Sequence, residues 1–121
     1  MSNTELVEWW LEQAGKDAEL MASRASEYGA VDLFDLGHDL ARLAHVEVTD
    51  SQAIELGIYF YVRGKMARWS AAILEGRQVS DDTLSDIGIY VRMVQRVRAT
   101  GAWPGYSTAV ASSTPTFWSA S

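Results

Sequence analysis

Asp82 and Asp86 stand four residues apart in the stretch from Gly64 to Tyr90, GKMARWSAAILEGRQVSDDTLSDIGIY. On a helix that spacing puts both carboxylates on one face. Such a pair can hold Mg²⁺, a hard cation that usually binds through one or two carboxylates plus the phosphates of a substrate. Lys65 and Arg68 lie in the same stretch and are suited to neutralise phosphates, Arg through bidentate contacts and Lys as a compact charge. Together the four residues would bind a phosphorylated ligand with its metal. The same spacing has a competing structural reading. Asp82 then assists Ser80 at the start of a helix, and Asp86 forms a salt bridge with Lys65 or Arg68.

Two helices must position these side chains. The third helix of the chain is expected from about Gln52 to Glu75, ended by Gly76. The fourth is capped by Ser80, runs from Asp81 to about Thr100, and is ended by Gly101 and closed off by Trp103-Pro104. At one turn per 3.6 residues, Ile54, Ile58, Tyr61, Trp69 and Ala72 cluster on one side of the third helix. Lys65 falls within that cluster and Arg68 at its border, where a cation is unusual unless paired or able to reach out. Ile89, Tyr90, Met93 and Val97 form the stripe of the fourth helix, and Asp82 and Asp86 continue it. Counting outward from the short connection places Asp86 opposite about Ser70 and Tyr90 opposite about Met66. Lys65 and Arg68 then come within side-chain reach of Asp86 and Tyr90. Glu55 does not, because it lies roughly 15 Å beyond Lys65 along the helix.

Two further helices precede this hairpin. Ser2 and Glu5 have the spacing of a capping box. From there Leu6, Trp10, Ala14, Ala18, Met21, Ala25 and Tyr28 recur every three or four residues up to a stop at Gly29. Asp32 can cap a second helix reaching about His45, with Leu33, Leu36, Leu40 and Leu43 inward. No strand pattern is evident. The expected fold is all-α, an antiparallel bundle of about four helices over residues 1–105. Residues 106–121, rich in Ser, Thr and Ala, are expected as a flexible tail carrying Phe117 and Trp118.

Composition narrows the function. A chain of 121 residues that is 48% hydrophobic with only two prolines is one folded domain. It has no cysteine, which excludes disulfides, thiolate metal sites and thiol nucleophiles. The N-terminus lacks a signal-peptide pattern, and no apolar run approaches the ~20 residues that span a bilayer. A soluble, cytoplasmic protein with no membrane partner is expected. The net charge of −6 argues against direct nucleic-acid binding. Arg92, Arg96 and Arg98 nevertheless make the last helix basic, an arrangement that also complements its dipole.

Other residues are weaker candidates. Glu5, Glu8 and Glu12 read as a solvated face. His38 and His45 are two turns apart, about 10.5 Å, too far to share an ion, and are expected to flank the core. Trp9 and Trp10 could stack on a base, although one of a Trp pair on an amphipathic helix is normally core. No P-loop or Gly-rich phosphate loop is present.

The pattern Lys65-Met-Ala-Arg68, then Asp82-Thr-Leu-Ser-Asp86 and Tyr90, resembles the phage proteins called nucleotide modification associated domain 1, which are similar to MazG-like all-α nucleotide pyrophosphohydrolases. Glu27-Tyr28-Gly29 matches a further element of that family. The resemblance implies an all-α fold, Mg²⁺ dependence, a homodimer in the host cytoplasm, and hydrolysis of a nucleoside triphosphate to monophosphate and pyrophosphate. It implies Asp82 and Asp86 as catalytic metal ligands and Lys65, Arg68 and Tyr90 as substrate-binding residues. MazG-like enzymes carry an EExxE motif on the preceding helix, where this chain has Lys65 and Arg68. Further carboxylates would have to come from the first helix, the second, or another protomer. Without them the expectation reduces to nucleotide binding without turnover. The alternative is a non-enzymatic module that binds a host protein through its acidic first helix or its tail.

Overall fold

The computed structural model describes residues 2–28, 31–104 and 106–107. Among these the chain forms four helices, α1 (Asn3–Tyr28), α2 (Val31–Leu43), α3 (Asp50–Leu74) and α4 (Asp81–Thr100), in the expected all-α bundle. The local signals that start and stop them are the ones their residue types provide. Glu5 accepts from the backbone amide of Ser2 while the Ser2 hydroxyl accepts from that of Glu5, closing the first capping box. Thr49 and Gln52 make a second box, so α3 begins at Asp50 rather than Gln52. The Ser80 hydroxyl accepts from the Thr83 amide at the head of α4. Gly76 and Gly101 take left-handed backbones after α3 and α4, the conformation that glycine adopts without penalty. α2 stops at Leu43, short of His45, which itself adopts φ 57°. Asp32 lies inside α2 rather than before it. Gly29 lies outside the described residues.

The core forms where α2, α3 and α4 meet, around Ile54, Ile58 and Met93, all buried, with Leu33, Phe34, Ile89 and Val97 about them. Backbone contact sets the α2–α3 crossing. A Cβ on Gly37 would lie 1.6 Å from the Ala53 carbonyl oxygen, and one on Gly57 would lie 2.0 Å from that of Leu33. Gly37 and Ala41 on α2 face Ala53 and Gly57 on α3, small residues four apart on both helices. The backbones therefore approach closely enough to bury this crossing almost completely. For that reason Phe34, Gly37 and Ala41 are buried on α2, whereas Leu36 and Leu40 are half-buried and Leu43 is exposed. His38 packs edge-on against Phe34, 4.6 Å between ring centroids, and its Nε2 lies 3.2 Å from Asp50 Oδ1. His38 flanks the core as expected, and Asp50, read as a turn residue, is its buried partner.

α1 departs from its expected packing. Its apolar stripe is regular, but Leu6 is 44% exposed and Trp10 65% exposed. Only the C-terminal half meets the body, through Leu20 and Met21, with α4 as its neighbour. The Trp103 indole donates a hydrogen bond to the Ala25 carbonyl, 2.6 Å away, and holds this end in place. The Tyr28 side chain lies outside the described residues. The expectation of no strand is also corrected. Ala102–Trp103 (β1) pairs antiparallel with Tyr106–Ser107 (β2), with the turn-forming sequence Pro104-Gly105 between them. The expected tail therefore starts with two paired residues, and its remainder, 108–121, lies outside the described residues. No described helix is long and apolar enough to cross a membrane.

Candidate functional site

The α3–α4 hairpin brings Lys65 and Asp86 together. Lys65 Nζ donates to Asp86 Oδ2 across 3.3 Å, with the two side chains 18% and 20% exposed. The pair is lodged in an otherwise apolar seam beside Tyr61 and Tyr90, whose rings lie 6.2 Å apart between centroids and are tilted by 32°. Tyr90 belongs to the core cluster and is 9% exposed, so it is buried rather than facing solvent. Burial first, then the Asp86 carboxylate and then Tyr61, push the Tyr90 phenol above its ordinary range. Each of these disfavours a phenolate in the seam.

Arg68 and Asp82 occupy the connection end of the same seam. Each lies one turn closer to the connection than Lys65 or Asp86, and both are exposed. Neither takes part in a salt bridge among the described residues. The hairpin thus holds an engaged ion pair inside and a cation and a carboxylate at its mouth.

The register differs from simple counting. Asp86 meets Lys65 rather than the level of Ser70, and Tyr90 meets Tyr61 rather than Met66. Both pairs are shifted five residues from the count, roughly 7.5 Å at the helical rise. α3 thus runs on past the level at which α4 begins, and the connection folds back alongside it. The exposure of Ile73 (61%) and Leu74 (87%) follows from this overhang.

Glu55, correctly placed out of reach of Asp86, has its own partner. Arg98 Nε and Nη2 donate to its two carboxylate oxygens at 2.6 and 2.8 Å, a bidentate bridge between α3 and α4. These hydrogen bonds, and then the charge of Glu55, push the Arg98 guanidinium further above its already high range. An acid and a base on facing helices at similar distances from the connection carry the signal for this bridge in the sequence, where Arg98 also suits the helix dipole.

Sequence reasoning also underrated a broad groove of about 1240 Å³ between α1 and α4. Trp9, Trp10 and Met21 form one wall, Arg92 and Arg96 the other, and Trp103 closes one end. Trp9 and Trp10 stand edge to face at 6.2 Å, and both are more than half exposed.

Two carboxylates a turn apart suit a metal bridged to substrate phosphates. A cage made of protein alone is another matter, since no three His, Cys, Asp or Glu side chains among the described residues converge on one point. The chain matches no family model, no curated protein and no solved structure.

Proposed function

We propose that the chain is a helical nucleotide-binding domain of MazG-like type, with its phosphate site at the connection end of the α3–α4 seam. The observation that carries this reading is the exposed Arg68 and Asp82 stacked one turn above the Lys65–Asp86 pair. Lys65 and Arg68 would neutralise the phosphates. Asp82 and Asp86 would hold Mg²⁺, which when bound polarises a phosphoryl oxygen and orients an attacking water. Tyr90 would keep Asp86 in place. Titration calorimetry with nucleoside triphosphates and Mg²⁺ tests this. Saturable binding should disappear in Asp86→Ala and Lys65→Ala proteins that remain helical. Failure of every nucleotide to bind, or binding unchanged in both variants, refutes the proposal. Pyrophosphate release in the same samples decides whether binding leads to hydrolysis.

The α1–α4 groove favours a second reading, a module that binds another protein. Its volume of about 1240 Å³ exceeds the roughly 300–1,000 Å³ of small-molecule pockets, and its tryptophans are typical anchors of protein interfaces. A captured protein that Trp10→Asp releases supports this reading. Equal capture by both proteins, or none, counts against it.

The raised phenol in the seam sets an alkaline limit on stability. Because the folded-state proton affinity of Tyr90 exceeds its unfolded value, its contribution is complete below about pH 10 and declines as pH rises through the folded pKa. Tyr90→Phe should therefore show a shallower loss of stability above about pH 10 than the parent. Denaturant midpoints from pH 8 to 11, read by circular dichroism, measure this, and parallel curves would contradict it.

A further inference from the structure

The groove between α1 and α4 is charged on one wall and apolar on the other. Arg92 and Arg96 stand one turn apart on α4, both exposed and both lining the groove. Neither takes part in a salt bridge among the described residues, in a chain with 16 Asp and Glu against 10 Lys and Arg. Arg92 instead donates to the neutral Gln95 Oε1 at 2.7 Å. Like charges at this spacing repel by about 0.2–0.5 kcal/mol, a cost that an anion between them would relieve. Asp17 is the one carboxylate among the described residues lining the groove. The acids Glu5, Glu8, Glu12 and Glu19 of α1 do not line it.

The other wall is the apolar stripe of α1, Trp10, Ala14, Ala18 and Met21. Two alanines between larger side chains leave a recess that runs roughly 16 Å along the helix, the length of about three helical turns. Both walls are helices, whose amides and carbonyls are already bonded within each helix. An occupant gains no backbone hydrogen bonds from them and must satisfy its own, which a helix does and an extended segment does not. The volume agrees. A cylinder of about 10–12 Å diameter that fills about 1240 Å³ holds about two to three turns of helix.

We propose that the groove seats one acidic amphipathic helix of a partner protein. Its apolar residues, three or four apart, fill the recess between Trp10 and Met21, and Glu or Asp on its flank pair with Arg92 and Arg96. The inference rests on the protein-binding reading of the groove and names the class of partner. It is independent of the nucleotide reading, since none of the charged seam residues enters it. Tryptophan and arginine together also suit single-stranded nucleic acid. Two cations in a chain of net charge −6 offer little grip on a phosphate backbone, so the acidic helix is favoured.

A displayed library of short amphipathic helices tests it, with the apolar face varied among Leu, Ile, Met and Phe and the flanks among Glu, Gln and Lys. Selection uses the full chain, with Trp10→Asp protein removing peptides that bind elsewhere. Glu should be enriched on the flanks. A selected peptide should bind the Arg92→Glu/Arg96→Glu variant about tenfold or more weakly by fluorescence anisotropy, at unchanged helical circular dichroism. The same selection on that variant should enrich Lys, a reversal that misfolding cannot produce. Absence of binders, flanks with no preference, or enrichment of Lys on the parent chain overturns the proposal. So does a 15-nucleotide oligothymidylate that binds through Trp10 when no peptide does, or peptide binding that appears only after removal of residues 108–121. A captured protein that Trp10→Asp releases but Arg92→Glu/Arg96→Glu retains would keep the protein-binding reading and overturn only the acidic helix. Failure of capture and selection alike ends both.

Discussion

Gly37→Ala should lower the unfolding free energy by about 3 kcal/mol or more, at or beyond the upper end of ordinary overpacking. The added methyl would lie 1.6 Å from the Ala53 carbonyl oxygen, 2.4 Å from its carbonyl carbon and 2.9 Å from its Cα. All three are backbone atoms, so no side-chain rotamer can absorb the clash. α2 and α3 must separate, which opens the contacts of Leu33, Ala41, Ala53 and Ile54, each at most 4% exposed. Gly57→Ala meets the Leu33 backbone from the other side of the crossing and should act in the same direction. Gly64→Ala is the contrasting case. Nothing lies within 4 Å of its added methyl, and alanine in the middle of a helix should add about 0.5–1 kcal/mol. Thermal melts of the three variants measure the contrast, with Tm falling by about 10 °C or more for Gly37→Ala and rising by a few degrees for Gly64→Ala. Equal shifts for Gly37→Ala and Gly64→Ala would remove the close crossing as an account of the core.

The second large effect concerns the ion pair. Asp86→Ala leaves the Lys65 ammonium in a seam where its side chain is only 18% exposed. Removing one partner of a fully buried pair costs about 3–5 kcal/mol. With both groups about a fifth accessible to water, about 2 kcal/mol is expected here. Lys65→Met should cost a comparable amount by leaving the carboxylate. The double variant Lys65→Met/Asp86→Leu removes both charges and adds apolar contacts, so it should recover most of the loss. A double-mutant cycle by chemical denaturation, built from Lys65→Met, Asp86→Leu and their combination, should therefore show a coupling of about 3 kcal/mol. Strictly additive losses would mean that the two groups do not rely on each other. The same double variant separates stability from ligand binding. A well-folded double variant that no longer binds nucleotide assigns a role to the charges beyond holding the helices together.

Much of this arrangement could be read in the chain because it depends on local rules. Ser80, Gly76 and Gly101 mark helix ends by their own backbone chemistry, and helical spacing alone puts Lys65 and Asp86 on facing stripes. What could not be read depends on distances between helices. A six-residue connection says that α3 and α4 are antiparallel but not how far it runs back along them, hence the five-residue shift in register. The spacing of Leu6, Trp10 and Ala14 shows an amphipathic helix without showing what covers it, and in the folded chain α1 leaves these positions largely open. Gly37-x-x-x-Ala41 and Ala53-x-x-x-Gly57 were visible as small residues four apart. Only their meeting across two helices gives that spacing its meaning, which is why Leu40 and Leu43 were expected inside and Ala41 was not. The short β1–β2 pairing was missed because two residues per strand leave no alternation to detect.

The hydrogen bond from Trp103 to Ala25 ties the end of the first helix to the strand that follows the last. α1 touches the body mainly through Leu20 and Met21, so the indole works as a latch on a long lever whose other half has little to hold it. Such an element can lift away as one unit without opening the α2–α3–α4 core, a partial opening of lower free energy than global unfolding. Amide protons of α1 should then exchange together and earlier than those around Ile54 and Met93, and Trp103→Phe should speed them selectively. A pull on the β1 strand would be felt first by the N-terminal helix, although the two bonded positions are 78 apart in the sequence.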